Sequence, residues 1–288
     1  MIRPGLPPQL LVLGSVASLQ LGSAFADKLF SRTGPAAVVL LRLAFAAVVL
    51  LVLVRPSLRG RSRSDLLGVV GFGLILGGMN WSFYEALDRL PLSVVVTVEF
   101  LGPLAVAIAG SRRALDVLWA VLAAGGVGLL ASNAFGRGLD VTGLLLALLA
   151  GACWAAYILA SQRVGASFAG LSGLAIAMTV GVLVVLPAGL AQGRGALLEP
   201  GVLAGGLGVA LLSSLVPYSL ELTALRRLPA TVFGLMMSLE PAAAALAGII
   251  VLGQGLTPRT ATAIVLVVAV SVGTTLQARA GRPVALDV

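Results

Sequence analysis

ALDRLP at residues 86–91 returns as ALRRLP at residues 224–229, and the same offset of 138 positions lays Pro103 on Pro241 and Gly102 on Glu240. Two separated matches at one offset mark an internal repeat, and are harder to reach by chance than one match in a chain of short apolar words. Both copies sit between long apolar runs, so the nature of the repeat depends on what those runs are. Of the 288 residues, 59% are hydrophobic and 10% charged, and the mean hydropathy is +1.09. Runs of about 17 to 24 apolar residues recur at 9–26, 34–54, 66–87, 92–110, 114–132, 139–160, 170–190, 201–224, 230–251 and 258–277. A helix needs about 20 residues to cross the hydrocarbon, and the runs lack the alternation of barrel strands. The expectation is an all-α membrane protein of ten transmembrane helices. Five runs fall in each copy, 1–136 and 137–288. Five is odd, so the second copy enters the bilayer from the opposite side, giving two inverted five-helix repeats of the kind that secondary transporters use. A duplicated scaffold without transport shares this architecture, because fold alone does not fix function.

The basic residues set the orientation. Twelve lie at the N-terminus, in the breaks after runs 2, 4, 6 and 8, or at the C-terminus: Arg3, Arg55, Arg59, Arg61, Arg63, Arg112, Arg113, Arg163, Arg226, Arg227, Arg279 and Arg282. Six lie on the opposite side, Lys28, Arg32, Arg89, Arg137, Arg194 and Arg259, so both termini are expected in the cytoplasm. The net charge of +8 then reads as a topology signal with anionic-lipid contact as its by-product, and no nucleic-acid partner is expected. The first run follows Arg3 as a secretion signal would, but it is long and further spans follow, so it is read as retained. One cysteine, Cys153, and no histidine exclude an internal disulfide and give no basis for a His or Cys metal site. With no phosphate loop, nucleophile motif or cofactor signature, neither catalysis nor a cofactor is expected.

Few ionisable residues interrupt the runs: Arg42, Glu85, Glu99, Glu221 and Glu240, with Asp27 and Lys28 at the end of the first. Glu99 and Glu240 are the deepest. A charge at the centre of a spanning helix costs about 2.5–3.5 kcal/mol, and protonating a glutamate at pH 7 costs about 3.7 kcal/mol. The terms are comparable, so hydration can switch either acid, which makes Glu99 and Glu240 candidates for proton coupling; the competing reading is a static partner of Arg42 or of a helix end. Pro103 and Pro241 lack the donor that would bond the carbonyls of Glu99 and Met237, so kinks are expected in runs 4 and 9. Arg42, inside run 2, is either a structural pair or a group that meets substrate or gates its path. Asn80 shares a helix face with Tyr84, Trp81 with Glu85, and Tyr218 lies three residues from Glu221. Such acids and aromatic faces suit the ammonium of a small zwitterion, or else the Trp and Tyr form the interfacial belt. Gly143, Ala147, Gly151 and Ala155 give run 6 a smooth face for packing inside the protein. Gln20 and Ser23, three apart in run 1, either line a path or bond to neighbouring helices.

A resemblance covers nearly the whole chain. It rests on GGMN at 77–80 with Phe83 and Tyr84, VEFLGPLAVA at 98–107 with Ser111, Arg112 and Arg113, and GACWAAYIL at 151–159 with Gln162 and Arg163. It continues through PYSLE at 217–221, RLP at 227–229, Phe233 and Gly234, MSLEPA at 237–242, Leu252 and Gly253, and LTP at 256–258. The chain resembles the drug/metabolite transporter superfamily in its ten-helix EamA-type branch, and within it the threonine/homoserine exporter (RhtA-type) family. The resemblance implies a central cavity lined by runs 1, 3, 4, 6, 8 and 9, and export of small amino acids across the bacterial inner membrane. Those runs carry Gln20, Asn80, Tyr84, Glu99, Trp154, Tyr157, Tyr218, Glu221 and Glu240 here. The implied partners are a small amino acid, the lipid bilayer and protons, and nothing indicates an oligomer. Gln254 stands where members of the family often carry glutamate, and Glu85, Asp27 and Lys28 are not matched. Aromatic amino acids, drugs or other metabolites are the alternative cargo.

Overall fold

The computed structural model describes residues 6–109, 140–225, 227–228 and 236–280, with isolated positions 118, 121, 122, 125 and 126. Most of the expected fifth run lies outside the described residues, as do Arg3, Ser111, Arg112, Arg113, Arg137, Arg226, Pro229, Phe233, Gly234 and Arg282. The described residues are helical throughout, joined by short turns. In order the helices are α1 (Pro8–Thr33), α2 (Pro35–Val54), α3 (Arg63–Leu87), α4 (Leu92–Glu99), α5 (Leu101–Ala109), α6 (Val141–Ser167), α7 (Ser172–Gly193), α8 (Pro200–Ala210), α9 (Val216–Leu225), α10 (Glu240–Leu252) and α11 (Pro258–Ala280). Six of the described spans are long and apolar enough to cross a membrane. Their outward faces are apolar too, with Leu53, Leu67, Leu183 and Ile250 exposed, which suits a lipid surround.

Local chemistry sets the ends. Gly34, at φ 81°, takes a conformation that L side chains rarely adopt, and Pro35 follows it to start α2. Ser62 and Asp65 form a capping box that starts α3, and Asp140 caps α6 by accepting from Thr142 N at 2.7 Å. Two ends differ from the sequence expectation. α1 continues through Asp27 and Lys28 to Thr33, and α6 continues through Arg163 to Ser167, because charged residues at a membrane surface do not stop a helix. Run 4 is interrupted by a single residue, Phe100, between α4 and α5, where Pro103 leads one to expect a kink. Run 9 likewise turns at Ser238 and Leu239 before α10 begins.

The packing is dominated by a few helix pairs. α3 lies against α6 and α7, α2 against α7 and α8, and α1 against α9 and α10. α4 and α5 pack on α6, and α4 also touches α10. Helices α1, α3, α4, α6, α9 and α10 thereby surround one central space.

Candidate functional site

The break between α4 and α5 forms one side of the site. Pro103 has no N–H for the carbonyl of Glu99, and the chain turns at Phe100, whose own N–H bonds Val96 O at 3.0 Å. A freed carbonyl at membrane depth is tolerated where it is buried in protein or lines a cavity. Here α6 covers it. A Cβ on Gly151 would lie 2.7 Å from Glu99 O, and a Cβ on Gly102 would collide with the Gly151 carbonyl, so the two helices cross at backbone contact that only glycine permits. Beside this crossing the Phe100 ring meets Trp154 edge-on, with centroids 5.9 Å apart.

A second break lies opposite. Pro217 withholds a donor from the carbonyls behind it, and Leu211–Leu215 form a π turn between α8 and α9. Side chains take the freed carbonyls. Arg42 Nη2 donates to Ser213 O at 2.8 Å, and Ser18 Oγ donates to Leu212 O at 2.7 Å. Arg42 also donates from Nε to Ser214 Oγ and from Nη1 to Tyr84 Oη, each at 3.1 Å. Arg42 is only 6% exposed, and its three hydrogen bonds all go to neutral groups.

Between the breaks is a cavity of about 370 Å³. That is near the lower end of the ~300–1,000 Å³ usual for small-molecule sites. Its wall carries one guanidinium, Arg42, and three carboxyls, Glu99, Glu221 and Glu240. Glu99 is 9% exposed and Glu240 2%. Glu221 accepts from Ser15 Oγ at 2.6 Å. Among the described residues no carboxylate lies at ion-pair distance from Arg42, and the ion pairs present, Arg89 with Glu85 and with Asp140, lie off the cavity wall. Gln20 Oε1, Ser213 Oγ and Glu240 Oε1 are buried without a hydrogen-bond partner among the described residues, and all three residues line the cavity. Buried polar atoms are nearly always partnered, so three open ones on one wall suit a polar guest. No cluster able to hold a metal ion occurs among the described residues.

Residues 141–276 match the EamA-like transporter family. Over 273 residues the chain is 42% identical to the threonine/homoserine exporter RhtA of Escherichia coli (strain K12), covering 94% of this chain and 92% of that one. The chain belongs to the EamA-like transporter family. The threonine/homoserine exporter RhtA of Salmonella typhimurium (strain LT2) matches over the same 273 residues, again at 42% identity with 94% and 92% covered. A crystal structure at 20% identity shares the fold, with a TM-score of 0.60 over 93% of this chain and 99% of the other. An EamA-like transporter of RhtA type moves solutes and is not an enzyme.

In this EamA-like transporter Gln20, Asn80, Glu99, Trp154, Tyr157, Tyr218, Glu221 and Glu240 stand on the cavity wall together with Arg42 and Pro103. Tyr84 does not reach the wall. It is fully buried behind Arg42, packed against Phe30 and Phe83 with ring centroids 5.6 Å away in each case. Trp81 and Glu85 also lie elsewhere: Trp81 Nε1 donates to Glu85 Oε1 at 3.2 Å, and Gln192 Nε2 donates to the same oxygen at 2.9 Å. Pro241 opens α10 beside Glu240 without joining the wall. Gln254 accepts from Leu92 N at 3.1 Å and so caps α4. The sequence reading misses Ser15, Ser18, Ser213, Ser214 and Pro217 as a group. Pro217 is the available signal, four residues after Ser213 as Pro103 is four after Glu99.

Proposed function

We propose that this transporter exports small hydrophilic amino acids, threonine and homoserine first among them, from the cytoplasm across the bacterial inner membrane. The charge content of the cavity carries the reading. One guanidinium and three carboxyls around about 370 Å³ answer both ends of a zwitterion. The exporter names of the two enterobacterial relatives support the same cargo.

The architecture in this reading is ten helices in two inverted five-helix repeats, 1–136 and 137–288, with both termini cytoplasmic. The helix contacts support it. Exchange each helix for the one five runs later, and the α1–α9 contact becomes α6–α3, α1–α10 becomes the packing of α4 and α5 on α6, and α2–α8 becomes α7–α3. The α2–α7 and α4–α10 contacts map onto themselves. The breaks keep the offset as well, since Phe100 and Ser238 are 138 positions apart. A pseudo-twofold axis in the membrane plane produces this pairing, and alternating access follows as rocking of one half against the other about the cavity. Glu99 and Glu240 take up and release protons during that cycle. They are not symmetry mates, because Gly102 occupies the position equivalent to Glu240.

Threonine flux in proteoliposomes under an imposed pH gradient tests the reading. The gradient is expected to accelerate wild-type flux, and Glu99→Gln and Glu240→Gln each to slow it about tenfold or more, the scale of one lost charge-assisted contact. Flux indifferent to the gradient, with both variants at wild-type rate, removes the proton role. Phenylalanine out-competing threonine transfers the cargo to aromatic amino acids, and absence of any solute flux returns the protein to a scaffold.

A further inference from the structure

We infer that Arg42 is the carboxylate-binding pole of the cavity, an assignment that rests on the export reading above and gives the amino acid a fixed orientation within it. The guanidinium has five N–H donors, and three are committed to Ser214 Oγ, Tyr84 Oη and Ser213 O. These neutral acceptors come from α3 and the π turn, and two donors and the positive charge remain on a residue that lines the cavity. A buried cation without a counter-charge is costly, and pairing within the protein would remove that cost. Three carboxyls share the same wall, and Glu99 lies near enough to feel the charge of Arg42, yet among the described residues none comes within ion-pair distance of it. The anion that completes the site is supplied by the cargo.

The class of anion follows from the rest of the wall. A planar guanidinium matches a carboxylate as a two-pronged donor. A dianion or a plain monocarboxylate entering the cavity meets Glu99, Glu221 and Glu240 with no charge to offer them. An α-amino acid brings an ammonium for those acids, among which Glu240 Oε1 is buried without a hydrogen-bond partner among the described residues. Ser213 Oγ, also unpartnered among the described residues, belongs to the residue whose carbonyl anchors Arg42 and which lines the same wall.

The test compares threonine with threonine methyl ester, which keeps the ammonium and hydroxyl and loses the carboxylate charge, as competitors for labelled threonine on the purified protein in proteoliposomes. Wild type is expected to prefer threonine over the ester by about tenfold to a hundredfold, the range for loss of a hydrogen bond to a charged group. In Arg42→Gln threonine binding weakens by a similar factor and the preference over the ester disappears, a change that general damage to the fold does not produce. Arg42→Lys keeps the cation without the fork and serves where the glutamine variant does not fold; its expected affinity for threonine falls about tenfold with a reduced preference. Equal competition by ester and threonine in wild type overturns the inference and leaves export standing. An unchanged preference in both variants overturns it too. Wild-type protein that neither binds nor moves threonine overturns the export reading itself, and this assignment with it.

Discussion

Glu221 differs from Glu240 in having a fixed donor, the hydroxyl of Ser15 at 2.6 Å. Removing that hydroxyl leaves a largely enclosed carboxyl oxygen short of a hydrogen bond, a loss of about 1–3 kcal/mol. Ser15→Ala is therefore expected to lower the thermal unfolding midpoint in detergent by a few degrees, followed by tryptophan fluorescence, and an unchanged midpoint would show that water replaces the hydroxyl. The acids themselves are legible in sequence, as is Arg42, because an ionisable group inside an apolar run has no local reason to be there. Their serine partners are not legible in the same way. A helical serine or threonine can satisfy itself on its own preceding turn, as Ser82 does on Gly78 O and Thr97 on Ser93 O, so LLSSL at 211–215 reads the same whether its hydroxyls are fillers or ligands. Tyr84 shows the complementary limit. Periodicity puts it on one helix face with Asn80, but which of the two reaches the cavity depends on neighbouring helices that periodicity does not describe.

Helix interruptions are the next scale, and a proline follows each by a few residues: Pro103 after Phe100, Pro217 at the π turn and Pro241 after Leu239. Sequence announces the first and third as kinks, since a missing donor is a property of the residue itself. It does not announce how closely the break at Phe100 is covered, because that depends on Gly102 and Gly151 bringing two backbones together. The crossing should be intolerant of even one added carbon. Gly151→Ala places a methyl 2.7 Å from Glu99 O and forces α4 and α6 apart, with an expected loss of about 1–3 kcal/mol and slowed flux. Gly165→Ala on the same helix meets nothing within 4 Å, and is expected to be neutral or to stabilise by up to about 1 kcal/mol through better helix propensity. Unfolding midpoints of the two variants measured side by side check the contrast, and equal midpoints would remove the crossing as a constraint.

At the scale of the whole molecule, one end of the bundle is knitted across its helices. Glu85 at the end of α3 receives Gln192 of α7 and pairs with Arg89 at 3.0 Å, while Gln192 Oε1 accepts from Ala36 N of α2 at 2.7 Å. Arg89 also approaches Asp140 at the start of α6, and Gln254 ties the start of α4 to the chain after α10. In the proposed orientation, with cytoplasmic termini, this is the outer end, and its bonds are expected to resist opening of the cavity on that side. A partly exposed ion pair alone is worth about 0–1 kcal/mol, but Glu85 carries two further bonds with it. Glu85→Ala is expected to speed labelling of a Ser23→Cys probe, in a Cys153→Ala background, by an impermeant maleimide added from outside by about threefold to tenfold, the effect of roughly 1 kcal/mol on an opening equilibrium. Labelling at the unaltered rate would show that the outer end is held by packing alone. The repeat behind this arrangement is visible in ALDRLP and ALRRLP, whereas the network is not, since its members come from five separate stretches of chain.

Arg42 also sets a timetable. Its nearest partner in sequence, Tyr84, follows 42 residues later, but the carbonyl of Ser213 and the hydroxyl of Ser214 follow by 171 and 172. At a synthesis rate of about 5–20 residues per second, Arg42 waits in the membrane roughly 10–30 s for them to be made. For that interval the first half of the chain is an unfinished object in the bilayer, its arginine half-served. Maturation is then a meeting of the two halves, with the late arrival of the second completing what the first was built to receive.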